Sequence, residues 1–263
     1  MDLLGHVNNV TYLDYLAEAR EDVFAGHGAA RAAVSQHRVE FVRPLVFRAA
    51  PVLVDTWVTD VGSGEVTLAQ EVYDGPTAEQ PDRVVYVRAS TVLYHRLTES
   101  ERTQTDRAPG PAQEWRPVPD DAGSDRAQVG REVYPLVVRR SDLDEHGLAR
   151  TGVYFEYVQE ARIHYLMNLR AAGEQWTDQV VARSDVDYLA PIGHRSEPYA
   201  LHSWIGHVGN RSYTMHSEIR DGEQVLARAA VVIVAFDVET QRPAEMPAHQ
   251  RARLEREVSD GTG

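Results

Sequence analysis

Tyr12-Leu-Asp-Tyr-Leu-Ala-Glu-Ala-Arg20 returns, little changed, as Tyr154-Phe-Glu-Tyr-Val-Gln-Glu-Ala-Arg162, 142 residues further along a chain of 263. The match extends both ways. Upstream, Asp2 falls on Asp144, Gly5 on Gly147 and Asn9 on Thr151. Downstream, Val39-Glu-Phe-Val-Arg-Pro44 lies over Val186-Asp-Tyr-Leu-Ala-Pro191 at an offset of 147, which also pairs Pro51 with Pro198, Trp57 with Trp204 and Gly62 with Gly209. Arg88-Ala89 then pairs with Arg228-Ala229. Ordered matches with small changes of offset mark an internal duplication, and a duplicated chain folds as two copies of one unit. Between the copies, 98–130 is rich in Pro, Asp, Gln, Arg and Gly and has no hydrophobic period, so it reads as a linker. This divides the chain into a first unit at 1–97, the linker at 98–130, a second unit at 131–243 and a polar C-terminal tail at 244–263, with a short helix after Met246.

Each copy opens with a helix. In the second, Tyr154, Tyr157, Val158, Ala161, Tyr165 and Leu169 recur every three or four residues and make one apolar stripe. Asn9 and Thr151 stand just before the helices and are expected as N-caps. Strand-like runs follow at 52–61, 65–73 and 84–94, and again at 199–208, 213–219 and 225–236. Gly62-Ser63-Gly64 and the Asp-Gly pairs at 74–75 and 221–222 read as hairpin turns. One long helix against a mainly antiparallel sheet, written twice, is an α+β architecture. Glu132 to Ser141 reads as a strand ahead of Asp144. Nothing comparable precedes Asp2, so the first unit is expected to lack its first strand.

Acids outnumber bases, 40 Asp+Glu to 27 Lys+Arg, and the formal net charge is −13. With no basic block, this is not a chain for nucleic acid, whose phosphates call for clustered cations. There is no cysteine and no lysine. Disulfide scaffolds, thiolate metal sites, Cys nucleophiles, Schiff bases and P-loops are therefore excluded. The N-terminus has no basic segment followed by an apolar one, and Leu226 to Phe236 is about half a bilayer span and contains Arg228. A cytoplasmic protein without a membrane partner is expected. Gly62-Ser63-Gly64 fits neither a nucleophile elbow nor a dinucleotide loop. His202 and His207, five apart on a strand, make a poor metal clamp, so neither metal nor cofactor is expected.

The string Asp2-Leu-Leu-Gly-His-Val-Asn-Asn-Val-Thr-Tyr12, followed by Glu18-Ala-Arg20, resembles the hot-dog thioesterases. It is most similar to the 4-hydroxybenzoyl-CoA thioesterase and acyl-CoA thioesterase group, and also to acyl-ACP thioesterases. The resemblance spans both repeats and implies a tandem double hot dog, a long helix wrapped by an antiparallel sheet in each unit, with duplication in place of a homodimer; further homo-oligomerisation is left open. It implies hydrolysis of an acyl-CoA or acyl-ACP thioester by a carboxylate acting as base or nucleophile, with backbone N–H groups of the turn and helix N-terminus as oxyanion donors. Asp2 and Asp144 match the catalytic carboxylate. Gly5 and Gly147 would let the backbone approach the thioester, and His6 and Asn8 or Asn9 would position the carbonyl or water. The second copy departs from the pattern: Leu148 replaces the histidine, Arg150 replaces Asn8, and His146 lies before the glycine. A non-catalytic acyl-CoA-binding protein is the alternative, and a hot-dog hydratase or dehydratase using His6 and Glu18 a lesser one. The acidic charge favours CoA over an acidic carrier protein. Glu18 with Arg20 and Glu160 with Arg162 are expected as structural ion pairs or hydrogen-bond anchors, and Tyr12, Tyr15, Tyr154 and Tyr157 as packing aromatics. Arg139-Arg140 was weighed as a contact for CoA phosphates, against the tendency of adjacent strand residues to face opposite ways.

Overall fold

The computed structural model describes residues 5–25, 32–46, 48–78, 80–96, 98, 114–119, 132–170 and 174–260. The chain forms two units, Met1–Trp115 and Arg116–Gly263, which part within the stretch read as a linker. Most of 98–130, and everything ahead of Gly5, where a first strand was expected to be missing, lies outside the described residues.

The first unit contains α1 (Thr11–Val23), β1 (Ala33–Phe41), β2 (Leu53–Val61), β3 (Glu65–Asp74) and β4 (Val84–Tyr94). The strands lie side by side in the order β2-β3-β4-β1, each pair antiparallel. Tyr12, Leu13 and Leu16 form the buried stripe of α1, and Trp57, Val66, Leu68, Val72, Val87, Ala89 and Leu93 are buried in the sheet. A polar bolt crosses this core. Buried Gln70 donates to the Leu16 carbonyl (2.8 Å) and to Thr56 Oγ1 (3.1 Å), while its own carbonyl accepts from Thr91 (3.1 Å). A buried amide satisfied on all sides fixes how the helix sits on the strands. His37, also buried, is pushed down to a pKa of about 3, first by burial and then by the charge of Arg20, so its ring stays neutral at ordinary pH.

The second unit contains β5 (Glu132–Leu136), a 3-10 turn (Arg140–Asp142), α2 (Val153–Leu169), β6 (Gln179–Tyr188), β7 (Tyr199–Val208), β8 (Ser212–Asp221), β9 (Gln224–Asp237), β10 (Arg242–Pro243) and α3 (Ala248–Asp260). The order is β6-β9-β8-β7-β5, antiparallel throughout, with β10 against β9. The duplication extends to the irregularities. Register shifts at 34/36 in β1, 58/60 in β2 and 72/73 in β3 recur at 181/183 in β6, 205/207 in β7 and 219/220 in β8. Each is the earlier position plus 147. A bulge bends its strand and raises the local twist, so equal bulges give the two sheets equal curvature.

Several local expectations need correction. β1 and β6 were not among the strand-like runs, because Gln36, His37 and Arg38, and Arg183, Ser184 and Asp185, interrupt the apolar pattern. Asp74-Gly75 is no hairpin turn; β4 begins only at Val84, after a longer loop. Asp221-Gly222 does turn tightly into β9, with Gly222 at φ 58°. The strand ahead of Asp144 stops at Leu136. Neither Asn9 nor Thr151 caps a helix: the N-cap positions are Val10 and Gly152, without a side-chain bond. The stretch after Met246 is the helix α3, which buries Gln250 and Leu254. It is tied down where Gln250 Oε1 accepts the Thr177 N–H (3.1 Å), Tyr165 donates to Glu257 (2.9 Å) and Arg253 donates to the Leu169 carbonyl (3.3 Å). Among the described residues no helix is long and apolar enough to cross a membrane.

Candidate active site

The segment entering α2 is folded by its own carboxylates. Asp142, only 4% exposed, accepts from the Arg139 N–H (2.9 Å) and the Tyr157 hydroxyl (2.8 Å) at Oδ2, from the Ser141 hydroxyl (3.3 Å) at Oδ1, and from Arg139 Nε at both oxygens (3.1 and 3.2 Å). Its backbone carbonyl accepts the Arg150 N–H (2.9 Å), which brings the chain back on itself. Inside that loop the Asp144 N–H donates to the Leu148 carbonyl (2.7 Å), and Gly147 donates to the Asp144 carbonyl (3.1 Å). Asp144 Oδ1 accepts the N–H groups of His146 (2.8 Å) and Leu148 (3.0 Å). One carboxylate oxygen is thereby fixed, and Oδ2 has no hydrogen-bond partner among the described residues, on an exposed side chain. Gly147 makes the reversal possible at φ 77°.

Electrostatics separates the two aspartates. Burial alone would raise the Asp142 pKa, but the Arg139 N–H, the Tyr157 hydroxyl and the Arg139 guanidinium outweigh it, and the carboxyl stays below its ordinary value. Burial and then Asp142 push the Tyr157 phenol up, so it remains a donor. Asp142 is therefore a buried anchor that is charged at neutral pH, whereas the Asp144 side chain is exposed. The amides of 146 to 150 are all committed within the loop or to Ile192. Those of Thr151 and Gly152, at the start of α2, have no acceptor among the described residues, so the helix entrance rather than the turn has donors to offer.

The first unit repeats part of this arrangement. Gly5 adopts φ 78°. The Val7 N–H donates to the Leu45 carbonyl (2.8 Å), and His6 bridges to Val46 and is buried. Asn8 Oδ1 accepts the Val10 N–H (3.1 Å), leaving its amide nitrogen as the group it can offer; Asn9 is half-buried beside it. Asp2 lies outside the described residues. In the second unit His146 is exposed, 3.6 Å from Glu145, and contributes its backbone N–H rather than its ring to the turn.

Reading the sequence missed Asp142, Arg139 and Tyr157. The available signal was the Asp142-x-Asp144 spacing at the mouth of a helix with a tyrosine one turn in. Arg139, weighed above against CoA phosphates, pairs with Asp142, Glu156 (3.4 Å) and Glu160 (3.6 Å). Glu160 is the anchor expected, though its partner is not Arg162. Glu160 holds Arg139 and the Tyr134 hydroxyl (3.3 Å), while Glu18 is exposed and Arg20 buried. Residues two apart on a helix do not face each other. Tyr12, Tyr15, Tyr154 and Tyr157 pack as expected, with Tyr154 also set edge-on to Tyr188 at 4.9 Å. Among the described residues no cluster of three His, Asp or Glu could hold a metal ion.

The Gly147 turn supplies a prediction. A Cβ there would meet nothing within 4 Å, so only the positive φ is at stake. Gly147→Ala is expected to cost about 1 kcal/mol, a fall of roughly 2–4 °C in melting temperature by calorimetry.

A model of the thioesterase-like superfamily matches residues 1–119 and 138–254, both repeats. The chain belongs to the thioesterase-like superfamily. Among solved structures, it is similar to an acyl-ACP thioesterase from Bacteroides thetaiotaomicron VPI-5482, with 15% identity, TM-score 0.61, and 89% of this chain and 92% of that one covered. A putative oleoyl thioesterase from Lactobacillus plantarum gives 12% identity, TM-score 0.67, and coverage of 90% and 92%. A 12:0-ACP thioesterase from Umbellularia californica gives 13%, 0.61, and 93% of each chain. A search of curated proteins found no match. At these identities the likeness is one of fold: this member of the superfamily is a tandem of hot-dog units, each an α+β assembly of helix and antiparallel sheet.

Proposed function

We propose that the chain hydrolyses an acyl thioester, with Asp144 as the carboxylate that activates water or attacks the carbonyl. The observation that carries this reading is the division of labour on one side chain. Oδ1 is fixed by two backbone N–H groups, which orients the carboxylate, and Oδ2 has no partner among the described residues, in the segment of chain that leads into α2. As base, Oδ2 takes a proton from water as the water oxygen adds to the thioester carbon. The developing oxyanion is met by the Thr151 and Gly152 amides at the positive end of the helix. Collapse expels the thiolate, which recovers the proton, giving a carboxylic acid and a free thiol. Asp2, with Gly5, His6, Asn8 and Asn9, is the corresponding candidate in the first unit.

The substrate class is acyl-CoA or acyl-ACP, and the net charge of −13 favours CoA, since an acidic carrier would be repelled. The units proposed to hold these sites are 1–97 and 131–243, and the proposed setting is the cytoplasm. The test is thiol release from a panel of acyl-CoAs and acyl-ACPs. Steady turnover of at least one acyl thioester is expected. A second reading, acyl-CoA binding without turnover, is favoured by Leu148 and Arg150 where the motif has His and Asn. Tight calorimetric binding of a non-hydrolysable acyl-CoA with no thiol release from any substrate would replace the first reading by the second.

A further inference from the structure

The loops that face the two motif turns, 42–50 and 189–197, share only Pro44 with Pro191 and Arg48 with Arg195. The structure gives those arginines one job twice. In the second unit the Ala149 N–H donates to the carbonyl of buried Ile192 (2.8 Å), and Leu148 bridges to Gly193. Three residues after Ile192, Arg195 reaches Asp221, the last residue of β8 (2.7 Å). Its Nε and Nη2 donate to the Glu197 (2.8 Å) and Pro198 (3.0 Å) carbonyls. Its guanidinium lies 3.7 Å over the Tyr199 ring, and the Tyr199 hydroxyl donates to the Gly193 carbonyl (3.0 Å). In the first unit the Val7 N–H donates to the Leu45 carbonyl, and His6 bridges to Val46. Three residues after Leu45, Arg48 grips both carboxylate oxygens of Asp74, the last residue of β3, with Tyr86 also donating to Asp74 (2.6 Å).

From turn to loop backbone, from loop to arginine, and from arginine to the aspartate ending β3 in one unit and β8 in the other, the connection is the same. The arginine–aspartate pairs are partly exposed, at 30% and 51% for Arg195 and Asp221 and 30% and 25% for Arg48 and Asp74. An exposed pair contributes little to stability, so global stability gives little reason for Arg195 with Asp221, the more exposed of the two pairs. A planar, forked guanidinium does fix geometry, because it holds a carboxylate and neighbouring carbonyls at set angles. We propose that Arg195 and Arg48 are positioning residues: each sets the loop that fixes its motif turn, and Arg195 thereby sets the placement of Asp144, the carboxylate of the proposed hydrolysis. This rests on the reading of those turns as catalytic.

The experiment pairs amide hydrogen exchange with kinetics on Arg195→Gln, Arg195→Lys and Arg48→Gln, using Arg83→Gln as a control that breaks another partly exposed arginine's pairs, with Asp55 and Glu71. Exchange at the Ala149 amide should quicken at least tenfold in Arg195→Gln, and at Val7 in Arg48→Gln, with melting temperatures close to wild type. In the active unit kcat should fall about 10- to 100-fold with KM little changed, as misplacement of a reacting group by an ångström would do. Arg195→Lys should recover part of the loss, since lysine keeps the charge but not the fork. Unchanged exchange at both amides overturns the proposal whether or not any thioester is cleaved. Faster exchange with unchanged kcat in both single variants also overturns it, while absence of turnover in wild type counts against the hydrolase reading instead.

Discussion

Asp144→Asn is expected to lower kcat by roughly 10³-fold, the range lost when a general base or carboxylate nucleophile is removed. The substitution is chosen for what it keeps. Asparagine retains an Oδ1 that can accept the His146 and Leu148 N–H groups, so the turn should hold its shape. Asp144 is exposed, and a change there should move stability by no more than about 0.5 kcal/mol. Kinetics and fold are thus separable in one variant. The same substitution at Asp2, and the double variant, assign the activity to a unit. Loss only in Asp144→Asn places it in the second, and loss only in Asp2→Asn places it in the first. Full thiol release by the double variant would end the carboxylate mechanism.

Asp142→Ala should do the opposite and damage the fold together with the chemistry. It leaves the Arg139 N–H and the Tyr157 hydroxyl without their acceptor in a buried place, at a cost of about 2–4 kcal/mol. At this chain length that is a fall of roughly 5–12 °C in melting temperature. Because the Asp142 carbonyl and side chain set the loop that holds Asp144, kcat should fall as well, by about 10²-fold. The pH dependence follows from the direction of the shift. Asp142 titrates below its ordinary value of 3.8 in the folded chain, through the bonds from Arg139 and Tyr157 that override burial. Its folded state therefore holds fewer protons than the unfolded one near that pH. The stabilisation is complete above about pH 4 and is lost as pH falls through the lower, folded value. Calorimetric melts of wild type should drop on acidification in that window, and those of Asp142→Ala should drop less. Parallel acid profiles for the two proteins would show that Asp142 is not the charged anchor described.

Aspartates two residues apart illustrate how much of the site a sequence can carry. Their presence before a helix, and the resemblance of the second to a catalytic position, were legible from residue order alone. Which one is buried was not. That depends on Tyr157, fifteen residues on, and on whether the chain between Asp142 and Arg150 closes into a loop. The misassigned helix caps have a similar origin. Asn9 and Thr151 are good capping types by composition, yet the chain is already helical at Val10 and Gly152 when it reaches them. The hydrogen bonds that shape the entrance come instead from Asn8 in one unit and from Asp142 and Ile192 in the other.

What the amino-acid order determined by itself is the duplication, the helix at the head of each copy and most of the strands. These rest on patterns repeated within a few residues or copied whole, and side-chain alternation needs no knowledge of the neighbours. The tertiary structure alone decided the rest: that β1 and β6 are strands despite their polar middles, that the two copies share their bulges, and that an arginine in each facing loop is tied to the end of a distant strand. Those features depend on groups brought together from far apart in the chain, and a buried polar residue is accommodated only once its partner has arrived.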